Sequence, residues 1–371
     1  MTAAAIRPGL REAAGHFPLP GRPVSIEPYG NGHINDTYLL TCSSAPEKHM
    51  ILQRMNRSVF QSPEELMENI GGVTAFLRER ILQARGDPER ETLCFTTSDS
   101  GKNYYEDGNW DYWRMCNFIE DSVCLESVAS PDDFYQCARG FGRFQRLLSG
   151  YPAHTLHETV PRFHDTVRRF EALLHAVEAD CCGRAKLAER EIRFAKAREA
   201  DAGALVRLQE SGELPLRVTH NDTKLNNVLL DRKTRKALCV IDLDTVMPGL
   251  AANDFGDAIR FGASTGSEDE RDLSKVGMDL NLFGRYAEGY LETCGESLTK
   301  TEIETLPLGA KMMTFECGIR FLTDYLRGDL YFKTSRDGQN LDRCRTQFKL
   351  VADMERKMDA MRGIIRNLSA R

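Results

Sequence analysis

The chain has 371 residues, a length typical of two domains or two lobes. Hydrophobic residues make up 41% of it and charged residues 28%, which excludes a disordered, collagen-like or coiled-coil chain. Asp and Glu number 55 against 49 Lys and Arg, so the net charge of −6 leaves no positive excess to hold a nucleic-acid backbone. We expect no nucleic-acid partner.

The sequence also lacks the features that direct proteins into membranes. No segment approaches the ~20 consecutive apolar residues of a membrane-spanning helix. Residues 1–15 contain no apolar stretch of signal-peptide length, and the eleven cysteines include no CxxC pair. We therefore expect a cytoplasmic protein without a membrane partner.

The first third of the chain predicts a mostly antiparallel sheet with one inserted helix. A Gly30-Asn31-Gly32 turn joins the first two expected strands. The helix is expected after Ser62, whose hydroxyl would cap it, with Pro63 in the first turn and Glu65 as the capping-box acid. Strands are expected at 24–29, 33–40, 50–54, 92–97 and 110–119.

After residue 120 the apolar residues recur at helical spacing. Helices are expected at 131–149, through much of 165–210, and at 341–361. A sheet with one helix, followed by a larger helical part, indicates an α+β architecture. We expect an N-terminal nucleotide-binding lobe of residues 1–118 and a helical C-terminal lobe of residues 119–371, with the ligand site between them.

Two apolar segments that end in acidic residues carry the strongest chemical signal. Residues 218–230 read VTHNDTKLNNVLL, and residues 237–244 read ALCVIDLD. Asp222 and Asn227 are five positions apart, as are the proton-accepting Asp and the metal-binding Asn of the kinase catalytic loop. Asp242 then fits a second metal ligand, because carboxylate and amide oxygens suit the hard cation that accompanies a triphosphate.

With these segments, the sequence resembles the aminoglycoside phosphotransferase and choline kinase superfamily of small-molecule kinases, and within it the N-acetylhexosamine 1-kinases. The matching segments are 29–38, 52–54, 113–114, 220–227, 242–245, 256–257 and 318–324. The resemblance implies a bilobal protein-kinase-like fold. It also implies phosphorylation, with ATP and Mg²⁺, of the anomeric hydroxyl of N-acetylglucosamine or N-acetylgalactosamine.

The resemblance further implies a role for individual residues. Asp222 matches the catalytic base, and Asn227 and Asp242 match the Mg²⁺ ligands. The sugar is expected at Arg320, Tyr331 and Asp244, although Asp244 could reach the metal instead. The nucleotide is expected at Ile26, Gly30, Gly32, His33, Phe118, Ile119 and Phe261, with the backbone of residues 114–119 as the hinge that holds adenine.

One departure from kinases concerns the third strand, which has no phosphate-binding Lys. Gln53 and Arg54 occupy that region, and strand alternation sends them to opposite faces. We favour Arg54 for the phosphates because of its charge, although the register is open. Glu68 is the expected helix acid for Arg54, with Glu64 and Glu65 as alternatives.

Two short motifs imitate catalytic signatures. Asp254-Phe255-Gly256 spells the kinase DFG motif, but no apolar strand precedes it, so we expect Asn253 or Asp254 to cap a helix that braces the catalytic loop. The segment 262–266 matches a GxSxG nucleophile elbow around Ser264, but a polar segment follows it where the elbow needs an apolar helix.

Three alternative functions remain open at this point. The acceptor could be another small alcohol, such as an aminoglycoside, choline or homoserine. Without the third-strand Lys, the chain could also be a nucleotide-binding regulator that turns over no substrate. A hydrolase would require Ser264 as the nucleophile. The sequence does not rank the two N-acetylhexosamines or specify the oligomeric state.

Overall fold

The computed structural model describes residues 8–30 and 34–370. The α+β fold is confirmed, with an antiparallel sheet near the N-terminus and a helical C-terminal region. The residues form two compact units. The first unit consists of Met1–Val123, Gly150–Pro161 and Leu229–Met247, and the second of Cys124–Ser149, Arg162–Val228 and Pro248–Arg371, each within the described ranges.

Ten strands form three sheets in the described residues. They are β1 (Arg22–Pro28), β2 (Asp36–Ser43), β3 (Lys48–Met55), β4 (Tyr105–Glu106), β5 (Tyr112–Asn117), β6 (Ser122–Val123), β7 (Arg217–Thr219), β8 (Val228–Asp231), β9 (Ala237–Val240) and β10 (Met247–Gly249). The sheet orders are β1-β2-β3-β5-β4, β10-β7 and β6-β8-β9. The strand expected at 92–97 is absent, because only Phe95 forms a bridge there, with Cys116.

The described residues also form twelve α-helices. They are α1 (Pro8–Gly15), α2 (Pro63–Gln83), α3 (Pro88–Glu91), α4 (Pro131–Leu147), α5 (Thr166–Ala179), α6 (Glu189–Lys196), α7 (Glu199–Ala202), α8 (Ala204–Glu210), α9 (Ala251–Gly262), α10 (Leu280–Cys294), α11 (Lys300–Arg327) and α12 (Gln339–Ser369). Pro63 begins α2 as expected, but the side chain of Ser62 makes no capping hydrogen bond, so the predicted cap is wrong.

The register of the five-stranded sheet decides which side chains share a face. Leu52 and Met115 pair across β3 and β5 and are fully buried in an apolar core with Leu40. Gln53 pairs with Arg114, and Arg54 pairs with Trp113. Because successive residues of a strand face opposite sides, Gln53 and Arg114 share one face and Arg54 lies on the other.

In the second unit, two glycines allow α9 and α11 to pack backbone against backbone. A Cβ atom on Gly256 would lie 2.4 Å from the carbonyl oxygen of Gly309. A Cβ atom on Gly309 would lie 2.1 Å from the carbonyl oxygen of Ala252. Real Cβ atoms do not approach carbonyl oxygens this closely, so any larger residue must push the helices apart. This close approach holds the start of α9, which carries Asp254, against α11.

We expect Gly256→Ala to lower the free energy of unfolding by about 1–3 kcal/mol, the usual cost of overpacking. Gly363→Ala is the matched control, since Gly363 is also helical but has no heavy atom within 4 Å of its Cβ position. The control should raise stability by about 0.5–1 kcal/mol. Urea denaturation of both variants measures the difference, and equal stabilities would contradict the packing argument.

Candidate active site

The segment 220–227 leaves β7 and returns in β8, and its start is fixed in an apolar setting. His220 is fully buried, and its ring meets those of Phe141 and Phe144 edge-on at centroid distances of 5.5 and 6.0 Å. Asn221 has φ of +63°, a backbone region that non-glycine residues rarely occupy. Such strained positions cluster at functional sites, where the surrounding structure enforces them. The next residue is Asp222.

The Asp222 carboxylate lies between a cation and an amide. Lys224 Nζ is 2.8 Å from Asp222 Oδ1. Asn227 Nδ2 donates to the backbone oxygen of Asp222 at 2.8 Å and to Asp222 Oδ2 at 3.3 Å. Burial alone would lower the pKa of Lys224, but the charge of Asp222 and its hydrogen bond raise it, so Lys224 stays protonated. The structure therefore brings Asp222 and Asn227 together, with Asp222 oriented and 26% exposed.

Two carboxylates of α9, Asp254 and Asp257, accept hydrogen bonds from the backbone of this loop. The backbone N–H groups of His220 and Asn221 each donate to one oxygen of Asp254 at 2.8 Å. Thr223 N donates to Asp257 at 3.2 Å. Burial raises the pKa of Asp254. Burial would also raise the pKa of Asp257, but the charges of Arg260 and Lys224 hold it below its ordinary value.

The prediction for the DFG-like motif is therefore confirmed only in part. Asp254 braces the loop of residues 220–227 as predicted, but it does so by accepting hydrogen bonds from the backbone of that loop. It does not cap α9, since the N-cap position belongs to Leu250 and makes no side-chain bond. The elbow-like segment is also no elbow, because helix α9 precedes Ser264, whose hydroxyl donates to Gly266 O at 3.0 Å.

Asp242 lies in the first unit, immediately after β9 and Ile241. Its backbone has φ and ψ of 60°, so it is also a strained non-glycine residue, and its side chain is exposed. A single 3₁₀ turn, Leu243–Thr245, follows it. This turn carries Asp244, which is buried.

Asp244 anchors a buried polar network in the first unit. Arg114 NH1 donates to Asp244 Oδ1 at 2.5 Å, and Asn35 Nδ2 donates to Asp244 Oδ2 at 2.5 Å. Arg114 Nε donates to Gln53 Oε1 at 2.9 Å. The side chains of Arg114 and Asp244 are 3% and 5% exposed. Because both of its oxygens accept hydrogen bonds within this unit, Asp244 fixes the turn that follows Asp242.

Arg54 is held on the opposite face of the sheet from this network. Its Nε donates to Asp36 at 2.9 Å and its NH1 to Asp111 at 3.1 Å, and its side chain is 43% exposed. The expected pairing with Glu68 is absent, because Glu68 instead lies 2.8 Å from His157 Nε2. Contact of Arg54 or Glu68 with the nucleotide stays a prediction. The open question of register is answered: Gln53, not Arg54, faces Arg114 and Asp244.

The remaining nucleotide candidates are more dispersed. Ile26 is buried in the apolar core of the first unit, and Ile119 is buried just after β5. The ring of Phe118 meets Tyr29 and His49 edge-on. Gly30 has φ of +76°, as a tight turn requires, while Gly32 and His33 lie outside the described residues. Phe261, in the second unit, is at the end of α9 and is 36% exposed. Their contact with nucleotide stays a prediction.

Arg320 and Tyr331 meet in the second unit. The Arg320 guanidinium carbon lies 5.5 Å from the Phe163 ring centroid, 5.9 Å from that of Tyr331 and 5.5 Å from that of Phe332. Asp324, one turn further along α11, accepts hydrogen bonds from the backbone amides of residues 330–332. Among the described residues, the Arg320 guanidinium donates no hydrogen bond, and Glu316, one turn earlier on α11, is close enough for its charge to interact with that of Arg320.

The sequence analysis assigned no role to Lys224, and it included Arg114 only as part of the matching segment 113–114. A signal for Arg114 existed, because a single Arg inside the apolar run of β5 must have a partner when buried. Lys224 gave no such signal, since a Lys in a polar loop is normally exposed. Its contact with Asp222 depends on how the loop bends.

Solved small-molecule kinases share this fold at low sequence identity. An aminoglycoside phosphotransferase from Alicyclobacillus acidocaldarius is similar with a TM-score of 0.61 and 13% identity, over 99% of this chain and 97% of that one. The microcompartment-associated aminopropanol kinase has a TM-score of 0.57 and 16% identity, over 95% and 97%. An amicoumacin kinase solved with AMP-PNP and Ca²⁺ has a TM-score of 0.55 and 12% identity, over 92% of both chains.

The chain belongs to the phosphotransferase enzyme family, whose model matches residues 25–288, more than half of its length. This confirms the superfamily inferred from the motifs. Within residues 8–30 and 34–370, no helix combines the length and apolar character needed to cross a membrane.

Proposed function

We propose that the chain is an ATP-dependent kinase that phosphorylates the anomeric C1 hydroxyl of N-acetylhexosamines. The observation that carries this proposal is the Asp222 carboxylate, oriented by Lys224 and Asn227 within a braced loop of a phosphotransferase-family chain. A carboxylate held in this way suits the removal of a proton from a hydroxyl as phosphoryl transfer proceeds. The reaction needs ATP, which a cytoplasmic location would supply.

In this proposal, Asp222 orients the C1 hydroxyl and accepts its proton. Phosphoryl transfer has a loose transition state, so alignment and neutralisation of charge contribute most of the catalysis. The Lys224 ammonium keeps Asp222 in place between turnovers and offsets its negative charge when the triphosphate arrives. The loop does not need to rearrange, because Asp254 and Asp257 already hold its backbone.

Asn227 and Asp242 are the residues proposed to hold Mg²⁺, which would supply positive charge to neutralise the phosphates. The donor set suits that ion. Asn227 Nδ2 donates to Asp222, so the amide oxygen of Asn227 is the atom that would bind the ion, and Asp242 would contribute a carboxylate. No group of three or more His, Cys, Asp or Glu side chains in the described residues could hold a metal by itself. This agrees with a Mg²⁺ site that depends on the phosphates of its substrate.

The surroundings of Arg320 favour a neutral or anionic acceptor over a cationic one. Choline and aminoglycosides carry positive charge, which a guanidinium without a hydrogen-bonded counter-ion would repel. Tyr331 is 68% exposed next to Arg320 and offers an aromatic face for a sugar ring. These features support a sugar acceptor and disfavour a cationic alcohol.

We expect ADP release, measured in a coupled assay with ATP and Mg²⁺, to depend on N-acetylglucosamine or N-acetylgalactosamine. Choline, aminopropanol, homoserine and an aminoglycoside should give much lower kcat/KM, and the reaction without acceptor is the control. A preference for a cationic alcohol would contradict the sugar proposal. ATP binding without acceptor-dependent ADP release for any alcohol would favour the nucleotide-binding regulator.

A further inference from the structure

His164 is a buried histidine whose two ring nitrogens both face hydrogen-bond acceptors. Its side chain is 8% exposed. Nδ1 lies 2.9 Å from Glu316 Oε1 on α11, and Nε2 lies 3.4 Å from the backbone oxygen of Asn221. A neutral imidazole carries one N–H group and can donate to only one of these acceptors, whereas an imidazolium donates to both. The geometry therefore fits the charged form of His164.

Glu316 is held as a carboxylate beside this ring. Its side chain is 1% exposed, and its second oxygen accepts a hydrogen bond from the Thr166 hydroxyl at 2.8 Å. Burial alone would raise the pKa of Glu316, but the charge of His164 and its hydrogen bond hold that pKa below the ordinary value. A buried carboxylate needs a cation as its partner, and His164 lies at hydrogen-bond distance.

The other charged and titratable groups around the ring lie on the loop of residues 220–227 and on three packed helices. They are His220 on the loop, Asp165 and Arg169 on α5 and its N-cap, Asp254 and Asp257 on α9, and Glu316 and Arg320 on α11. Both arginines interact with Glu316. Burial raises the pKa of Asp254, and the charge of His164 opposes that rise. The nearest partner of the ring is the Glu316 carboxylate, which favours the charged form.

The contact from Nε2 ends on the peptide group that joins Asn221 to the proposed base. Asn221 has φ of +63°, and its own N–H donates to Asp254 at 2.8 Å. The carbonyl oxygen of Asn221 faces His164, and the N–H of the same peptide, from Asp222, donates to His220 Nδ1 at 3.3 Å. A strained backbone persists only where its surroundings hold it. These contacts therefore hold the peptide groups on both sides of the strained residue, all within the second unit.

We propose that His164 is a positioning residue for Asp222, and that it acts as an imidazolium bridge from Glu316 to the carbonyl oxygen of Asn221. A carboxylate is a stronger acceptor than a carbonyl, so a neutral ring keeps its proton on Nδ1. Nε2 then presents a lone pair to the Asn221 oxygen, and the two repel. The peptide rotates and moves the Asp222 carboxylate away from the acceptor hydroxyl.

This inference rests on the proposed kinase function, because it adds a condition on the same base. Activity should be lost as pH rises, since the imidazolium is the low-pH form of His164. The loss should appear in kcat rather than in KM, because His164 acts through the loop. Glu316→Gln removes the counter-charge of the imidazolium, so its alkaline fall in kcat should begin at lower pH than in the wild type.

The test compares His164→Gln with the wild type and with His175→Gln, which replaces an exposed histidine of α5. We expect His164→Gln to lower kcat by about 10- to 100-fold with little change in KM, as for a small misplacement of a catalytic group. The alkaline fall in kcat should also be absent from this variant. His175→Gln should keep both the rate and the pH profile of the wild type. An unchanged kcat or an unchanged alkaline fall in His164→Gln would overturn the inference.

Nitrogen-15 NMR of the eight histidines measures the protonation of the ring directly. The signal of His164 is the one that shifts in Glu316→Gln and is missing in His164→Gln. We expect both of its nitrogens to be protonated at neutral pH, and the ring to lose a proton over the range in which kcat falls. A neutral ring at neutral pH would overturn the inference, even if His164→Gln did not fold.

The NMR titration also separates this inference from the proposed function. If no acceptor is phosphorylated, an imidazolium whose titration shifts the amide signal of Asp222 supports the bridge and contradicts only the kinase proposal. Phosphorylation of the sugar by a protein whose His164 ring is neutral would contradict only the bridge.

Discussion

Replacing Asp222 by Asn is expected to lower kcat by about 10²–10⁴-fold, the contribution typical of a positioned general base. The substituted amide keeps the shape of the side chain but cannot accept the proton of the acceptor hydroxyl. Affinity for ATP should change little, because Asp222 faces the acceptor hydroxyl in the proposed mechanism. Steady-state kinetics of ADP release and calorimetric titration with ATP measure the two quantities.

The control for this substitution is Asp359→Asn, which removes a fully exposed carboxylate at the surface of α12. It should leave kcat unchanged. Asp222→Asn should lower kcat while the affinity for ATP stays nearly unchanged. Circular dichroism should show that the fold of this variant is intact. A near-normal kcat in this variant would show that Asp222 is not the base.

Replacing Arg114 by Met is expected to lower the free energy of unfolding by about 3–5 kcal/mol, since removing one partner of a buried ion pair leaves the other charge uncompensated. Asp244 would keep only its hydrogen bond from Asn35. Gln53 would also lose the donor to its Oε1 atom. Urea denaturation measures the loss.

Arg54→Met is the matched control, because Arg54 is also a strand arginine paired with carboxylates but is 43% exposed. Exposed ion pairs contribute about 0–1 kcal/mol, so this variant should be nearly as stable as the wild type. Similar losses in the two variants would contradict the assignment of the buried network to Arg114. A loss of less than about 1 kcal/mol for Arg114→Met would contradict it as well.

Local patterns made much of the fold predictable. The apolar patterns identify β1, β2, β3 and β5, and helical spacing identifies α2, α4 and α12, although α12 continues to Ser369, well beyond its expected end at residue 361. The interval between Asp222 and Asn227 was informative because both residues belong to one short loop. A spacing within a loop is visible in the sequence, and the geometry that it implies is local.

Long-range pairing was not predictable from the same patterns. The charge of Arg54 favoured it as the phosphate-binding residue of β3, but the strand register puts Gln53 on the face of Arg114, whose partner Asp244 is distant in sequence. Asp254 was expected to act on its own helix and instead bonds amides of the catalytic loop.

The most direct test of phosphoryl transfer to the C1 hydroxyl is phosphorus NMR of the wild-type reaction with ATP, Mg²⁺ and N-acetylglucosamine or N-acetylgalactosamine. We expect a new sugar phosphate resonance, split by the single anomeric proton, and this resonance should appear only when enzyme and sugar are both present. The Asp222→Asn variant should not produce it at a comparable rate. Formation of ADP with no new sugar phosphate, or a phosphate coupled to the two C6 protons, would contradict transfer to the C1 hydroxyl.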